Sequence, residues 1–125
     1  MQESIKNFTD LRVWKEAHSL VLLIYKITKK FPKDEVFGLI SQLRRAAVSV
    51  TSNIAEGFSR QSYAEKVQFY SLALGSLTEV QSQLFIARDV GHINKLLFNE
   101  ISEQTIDVHK LLNAFIKKSK SIRDS

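Results

Sequence analysis

The chain has 125 residues, 44% hydrophobic and 25% charged, with a net charge of +5. That length supports one domain with its own core, and the apolar content excludes a disordered chain. The absence of cysteine excludes disulfides and thiolate metal sites, and is compatible with the reducing cytoplasm in which we expect the protein to reside. Residues 1–10 are polar, unlike a signal peptide, and the longest apolar run, 20–25, is far shorter than the roughly 20 residues that cross a bilayer, so no membrane partner is expected.

The first two helices are predicted from apolar periodicity and from the few helix breakers, four glycines and one proline. The first is predicted over residues 10–30, capped by Thr9 or Asp10 and ended by Phe31-Pro32, because the residue before proline disfavours helix. The second is predicted over 34–56, with Gly57 as the glycine that ends it. The expected core stripe of the first helix is Leu11, Trp14, Ala17, Val21, Leu22, Tyr25 and Thr28.

The third helix is predicted from Ser62 to about residue 88, because Ser62-Tyr63-Ala64-Glu65 matches a capping box. The fourth is predicted from near Asn94 and frays in the tail. Four helices of about 20 residues with short connections predict an all-α, antiparallel up-down-up-down four-helix bundle. A single domain spans 1–125, with its core at about 8–116 and polar tails at 1–7 and 117–125.

Charge is unusually sparse in the second and third helices. Between residues 36 and 58 only Arg44, Arg45 and Glu56 are charged, and between 69 and 87 only Glu79 is. A surface helix of a monomer carries a broad polar face, so these helices are expected to pack against neighbouring subunits; weakly polar solvent faces are the alternative. The predicted interface is Gly38, Ser41, Arg45, Val48, Ser52, Ala55, Glu56, Gly75, Ser76 and Glu79. Ala73 is a further small residue expected on the outward face of the third helix.

In that interface Arg44 and Arg45 would pair with Glu56 or Glu79, or would line a shared channel. Gly75 lies in mid-helix, where glycine costs about 1 kcal/mol relative to alanine, which favours a close approach there.

Positive charge collects near the ends of the first and fourth helices. In an up-down bundle the end of helix four lies with the second loop and the start of helix one, including Arg12 and Lys15, and this pole is the stronger candidate for binding phosphate. A solvated tail that keeps the protein soluble is the alternative. The predicted nucleic-acid-binding residues are Arg44, Arg60, Lys66, Lys117, Lys118, Lys120 and Arg123.

The sequence contains no recognisable catalytic or metal-binding motif. His18, His92 and His109 lack metal-ligand spacing, so we expect no metal, no cofactor and no enzymatic activity. Asn53 and Glu56, one turn apart with Ser49 nearby, are predicted to form a hydrogen-bonded cluster at the end of the second helix.

Several motifs together resemble a known family. They are Phe8-x-x-Leu11-x-Val13-Trp14, Phe31-Pro32-x-x-Glu35-x-x-Gly38-Leu39, Gln42-Leu43-Arg44-Arg45-Ala46-Ala47-x-Ser49-Val50, Asn53-Ile54-Ala55-Glu56-Gly57, and Ala73-x-Gly75-Ser76-x-x-Glu79. Over about residues 8–116 the chain resembles the four-helix proteins encoded in intervening sequences of bacterial large-subunit ribosomal RNA. That family includes relatives of the accessory variability determinant of diversity-generating retroelements.

The resemblance implies a homopentameric barrel, a basic surface for nucleic acid and, in the retroelement branch, a reverse-transcriptase partner. It implies no catalytic residue. Two functions follow as expectations. The first is an oligomer that binds nucleic acid, RNA or DNA, with RNA as the expected target. The second is a scaffold that docks a partner such as a reverse transcriptase through exposed aromatic residues such as Phe37, Phe58 or Phe98.

Overall fold

The computed structural model describes residues 4–125, and residues 1–3 of the predicted N-terminal tail lie outside it. Over that range the chain forms four α-helices and no strand. The helices are α1 (Arg12–Thr28), α2 (Leu39–Ser59), α3 (Tyr63–Asp89) and α4 (Lys95–Arg123), with short 3-10 helices at Phe8–Asp10 and Lys33–Glu35. No helix of residues 4–125 is long and apolar enough to cross a membrane.

Each helix packs against its neighbours in the sequence, and α1 closes the bundle against α4. Gln83 donates to Gln42 at 3.4 Å near the start of α2, and Ser49 bonds to Ser76 at 2.9 Å further along. Positions that rise along α2 therefore meet positions that fall along α3, so the two helices are antiparallel. The same reversed order holds in the ring pairs between α3 and α4, which are Tyr70 with Phe115 and Phe85 with Phe98.

The buried face of α1 differs from the predicted stripe. Leu22 and Tyr25 are 58% and 38% exposed, whereas Leu20 and Ile24 are almost fully buried. The run of residues 20–25 is apolar all round the helix, so periodicity cannot choose which side faces the bundle; packing between α2 and α4 makes that choice. In α2, α3 and α4 the apolar residues at helical spacing, such as Leu43, Leu77 and Val108, are buried, as periodicity predicts.

The start of α1 is also displaced from its prediction. Residues 8–10 form a separate 3-10 helix, which Asn7 caps by accepting from the Thr9 N–H at 2.8 Å, and α1 begins only at Arg12. Asp10 turns back to accept the N–H groups of Lys6 and Asn7, and these bonds lower its pKa. The prediction that Thr9 or Asp10 caps α1 is therefore wrong, because both residues belong to the 3-10 helix that precedes it.

The second helix begins and ends later than predicted. Residues 33–35 form a 3-10 helix, and α2 starts at Leu39. Gly57 does not end α2 but lies buried inside it. A Cβ at Gly57 would lie 2.5 Å from the ring carbon Cε1 of Tyr70, so this glycine allows α2 and α3 to approach closely.

The predicted starts of α3 and α4 are confirmed. The Ser62 hydroxyl accepts from the Glu65 N–H at 3.2 Å, and Asn94 accepts from the Leu97 N–H at 2.8 Å. The predicted fraying of residues 117–125 is wrong, since α4 continues to Arg123. Ser119 is only 4% exposed there, so this segment packs onto the bundle and belongs to the folded domain.

Candidate nucleic-acid interface and self-association face

One end of the bundle gathers the start of α1, the end of α2, the start of α3 and the end of α4. A cavity at this end is lined by residues from all four segments, among them Leu11, Phe58, Tyr63 and Lys118. The predicted grouping of charges at one end follows from this topology. We call this end the basic pole, defined by Arg12, Lys15, Arg60, Lys66, Lys117, Lys118, Lys120 and Arg123.

Two predicted phosphate ligands at the basic pole are held by acidic neighbours. The Arg60 guanidinium lies 3.5 Å from the Glu56 carboxylate and over the Phe69 ring, 4.6 Å from its centroid. Arg123 donates to Asp124 at 2.8 and 3.2 Å, and this pairing raises the pKa of Arg123 and lowers that of Asp124. A phosphate would have to compete with these carboxylates, which reduces the contribution of both arginines.

Lys66 is occupied in a different way. Its ammonium donates to the backbone oxygen of Phe58 at 2.7 Å and, more weakly, to that of Gly57 at 3.4 Å. These are carbonyls of the last turn of α2, so Lys66 stabilises the carbonyl end of that helix. Partial burial lowers the pKa of Lys66, because an ammonium ion loses hydration there.

Arg44 lies away from the basic pole. Its Nε donates to the Thr28 hydroxyl at 2.9 Å, and its guanidinium lies over the Tyr25 ring, 4.5 Å from the centroid. Arg44 thus joins α2 to the end of α1, and the structure does not bring it together with the other predicted nucleic-acid ligands.

The lysines of the last turns of α4 remain accessible, as do Arg12 and Lys15 of the basic pole. Lys117, Lys118 and Lys120 are exposed and form no salt bridge with any residue of the described chain. Arg12 lies beside Lys118, because both line one surface cavity. The positive surface is bounded on the α1–α4 side by Glu16 and Asp107, which share a second cavity with Arg12.

Only some residues of the predicted interface share one exposed face of the subunit. Ser41, Arg45, Val48, Ser52, Gly75 and Glu79 are exposed on the outer side of α2 and α3. We call these six the small-residue face. Nothing within 4 Å would meet a Cβ at Gly75, so no contact inside the subunit explains this glycine.

The other predicted interface residues have neighbours within the subunit or less exposure. Ser76 is tied to Ser49 across α2 and α3, and Glu56 pairs with Arg60 at the basic pole. Gly38 and Ala55 are half-buried. A Cβ at Gly38 would meet the Glu35 carboxylate oxygen at 2.5 Å. Ala73, counted among the outward small residues, lies in the core instead.

A polar recess adjoins the small-residue face. Gln42, Arg45, Glu79 and Gln83 line it. Gln83 is 6% exposed, and its carbonyl oxygen is buried with no hydrogen-bond partner among the described residues. A buried amide oxygen without a hydrogen bond costs free energy.

The predicted cluster around Asn53 is present without Glu56. The Asn53 amide donates to the backbone oxygen and the hydroxyl of Ser49, at 2.9 and 3.1 Å. Through the bond of Ser49 to Ser76 this network joins α2 to α3. Its role is structural, since all its bonds hold α2 to itself or to α3.

The histidines lie apart from one another. His92 bonds to Glu35 at 2.7 Å and His18 stacks on Trp14 with ring centroids 4.7 Å apart. Within residues 4–125 no group of three or more potential ligand residues is placed to hold a metal ion. The absence of enzymatic activity stays a prediction.

Sequence reasoning missed the aromatic residues around the cavity of the basic pole. Phe58, Tyr63, Tyr70 and Phe115 come from three helices, and only the fold brings them together. Burial raises the pKa of Tyr70 to about 12. No local signal in the sequence predicts this pocket, since its four aromatic residues lie on three different helices.

These features define the class of the protein: it is all-α, with four helices, a basic end and a weakly charged face. The model of the 23S rRNA-intervening sequence protein family matches residues 9–114. Because this match covers most of the chain, the protein belongs to that family.

A solved structure has the same fold. It is the crystal structure at 1.70 Å of a protein of unknown function from the S23 ribosomal protein family of Bacteroides thetaiotaomicron VPI-5482. The TM-score is 0.75 and the identity 23%, over 84% of this chain and 98% of that chain. At this identity the likeness supports the fold alone. A search of the curated proteins found no match.

Proposed function

We propose that the protein is a non-enzymatic, self-assembling cytoplasmic protein that binds nucleic acid through its basic pole. The observation that carries this proposal is the set of exposed, unpaired lysines at the end of α4, Lys117, Lys118 and Lys120. Lysines on a folded helix hold a fixed spacing, which favours phosphate binding over a loose solvated tail. RNA is the proposed polymer, since the family description refers to a ribosomal RNA sequence.

Self-assembly is proposed through the small-residue face. Its support is the exposed Gly75, which no contact inside the subunit requires. A neighbouring subunit would cover Val48, which is 37% exposed. A ring of five is proposed from the resemblance of the motifs, and such a ring would repeat the basic pole and increase avidity.

Binding to nucleic acid is tested with structured RNA and duplex DNA by fluorescence anisotropy at several salt concentrations. The triple variant Lys117→Ala, Lys118→Ala, Lys120→Ala should bind more weakly. The slope of log affinity against log salt should become shallower by roughly 2 to 3, since each neutralised phosphate contributes about 0.9. The matched control removes three exposed lysines at the other end of α1: Lys26→Ala, Lys29→Ala and Lys30→Ala. No binding at about 50 mM salt, or equal loss in both triple variants, would contradict the proposal.

Self-assembly is tested by light scattering. The unmodified protein should be several times heavier than the 14.3 kDa chain. Gly75→Glu should dissociate it, because the substitution places a charge in the covered face, while circular dichroism remains helical. Gln61→Glu, at an exposed position in the turn between α2 and α3, is the control and should leave the assembly intact. A stable monomer of the unmodified chain would refute assembly.

A second candidate, a scaffold that docks a protein such as a reverse transcriptase, is supported by exposed apolar residues at the other pole. Phe37 is 95% exposed and Leu96 82% exposed, whereas Phe98 is 6% exposed and is not available for docking. Docking of this kind should resist salt. A pull-down of a reverse transcriptase that survives high salt and is lost in Phe37→Ser would favour it over nucleic-acid binding; a salt-sensitive pull-down would not.

A further inference from the structure

The cavity at the basic pole is lined by aromatic, aliphatic and lysine side chains. It has a volume of about 280 Å³ and is lined by four aromatic rings, those of Phe58, Tyr63, Tyr70 and Phe115. Small-molecule sites begin at about 300 Å³, so this pocket has room for one small flat group. Tyr63 is 37% exposed and stands at the first position of α3, where it is accessible from solvent.

A hydrogen-bond donor remains free inside this aromatic pocket. The Lys66 ammonium carries three protons, of which two point to the carbonyls of Gly57 and Phe58. The nitrogen lies 5.4 Å from the Phe58 ring centroid and 5.6 Å from that of Tyr63. Among the described residues the third proton has no acceptor. An aliphatic side chain from a partner protein would leave it unpaired, whereas a carbonyl oxygen on a flat ring would accept it.

Lys118 completes the pattern at the edge of the pocket. It is exposed, lines the same cavity as Lys66, and also lines the neighbouring cavity with Arg12. An aromatic group with a carbonyl inside the pocket could therefore be joined to a phosphate outside it. A nucleotide has that construction.

We propose that this pocket receives one unstacked base of a single-stranded nucleic acid, with its flanking phosphates on Lys118 and Arg12. Stacking on Tyr63 and Phe58 holds the base, and the free proton of Lys66 bonds to a base carbonyl, which favours uracil over adenine. A duplex keeps its bases paired and cannot fill the pocket. This inference rests on the proposed function, because it adds base recognition to phosphate binding at the same pole.

The test compares labelled oligomers of twelve uridines or twelve adenosines with an RNA duplex, by anisotropy at about 50 mM salt. The uridine oligomer should bind at least several-fold more tightly than the adenosine oligomer. Tyr63→Ala should weaken uridine binding about tenfold, as expected for one lost stacking contact, and leave duplex binding unchanged. Tyr63→Phe keeps the ring and should keep the affinity. A thymidine DNA oligomer run alongside distinguishes RNA from DNA as the source of the base.

The role of the ammonium is tested by Lys66→Met, with the helix content checked by circular dichroism. It should abolish the preference for uridine over adenosine, which a purely structural loss would not do selectively. Should Lys66→Met fail to fold, cross-linking of 5-bromouridine RNA to the peptide that carries Tyr63 provides the second measurement.

The outcomes separate the two proposals. Equal binding of both oligomers and the duplex, unaffected by Tyr63→Ala, overturns the base pocket and leaves phosphate binding standing. No binding of any nucleic acid overturns both. Displacement of an apolar dye from the pocket by a protein but not by the uridine oligomer also overturns the base pocket and favours an apolar side chain as its occupant.

Discussion

Replacing Gly57 by alanine tests how closely α2 and α3 approach. Alanine is normally the better helix residue, worth roughly 0.5–1 kcal/mol over glycine in mid-helix. At Gly57, however, the new Cβ would lie 2.5 and 2.8 Å from two ring carbons of Tyr70 and 3.0 Å from the Cβ of Phe69. Carbon atoms attract best at about 3.5–4.0 Å, so either the helices separate or the ring moves.

The ring of Tyr70 has little freedom to move. It is 1% exposed and packs against Phe115, with ring centroids 4.6 Å apart. Overpacking of this kind costs about 1–3 kcal/mol. After subtraction of the gain in helix propensity, Gly57→Ala should lower the free energy of unfolding by about 1 kcal/mol, and by no more than about 2.5 kcal/mol. For a chain of this size that corresponds to a melting temperature lower by about 4 °C for each kcal/mol.

Urea unfolding followed by circular dichroism measures the effect, with every variant at the same protein concentration because assembly adds to apparent stability. Asn99→Ala is the control, because Asn99 is exposed on α4, outside the small-residue face, and alanine is the better helix residue there too. It should not destabilise the protein. In the background of Tyr70→Leu, which removes the ring, Gly57→Ala should cost much less. A Gly57→Ala protein as stable as the Asn99→Ala control would refute the close-approach explanation.

The remaining predictions concern single contacts. Asn94→Ala removes the side-chain cap of α4 and should lower the free energy of unfolding by about 1 kcal/mol in urea. Glu35→Gln should make stability less dependent on pH: the bond from His92 lowers the pKa of Glu35 below 4.5, so the carboxylate stabilises the fold above that pH and the effect is lost as pH falls. Asp34→Asn is the control in the same acid titration. Arg44→Met should lower the stability by about 1–2 kcal/mol and leave nucleic-acid affinity unchanged, because Arg44 joins α1 to α2 rather than lying at the basic pole.

Contrary results would be informative for each contact. An Asn94→Ser protein should recover most of the stability lost in Asn94→Ala, since serine also caps helices, and no recovery would assign the loss to another cause. Equal acid sensitivity of the Glu35→Gln protein and the unmodified one would show that the bond to His92 does not contribute. Weaker RNA binding by a stable Arg44→Met protein would restore Arg44 as a phosphate ligand.

The starts of α3 and α4 could be predicted because they depend on local chemistry. Ser62 and Asn94 accept N–H groups only three residues away, and such short-range bonds are visible in the sequence. The start of α1 was predicted wrongly for a local reason as well. Asn7 and Asp10 satisfy each other across a 3-10 helix, and the pattern of capping residues did not distinguish this from the start of an α-helix.

Gly57 shows where local chemistry is insufficient. In the sequence it looks like a glycine that ends a helix, but its lack of a side chain is required by Tyr70, a residue of the next helix. Likewise the sequence does not show what the Lys66 ammonium donates to, because its acceptors, the carbonyls of Gly57 and Phe58, depend on how α2 meets α3.

By itself the sequence determined the all-α class, the number of helices and the grouping of lysines at the end of α4, since these follow from periodicity, capping and connectivity along the chain. The tertiary structure decided which side of α1 is buried, which cations remain free at the basic pole, and that four aromatic side chains contribute to one pocket there. The physical reason is that helix formation depends on residues within a few positions of one another. Burial and ion pairing depend instead on residues that become neighbours only when the bundle closes.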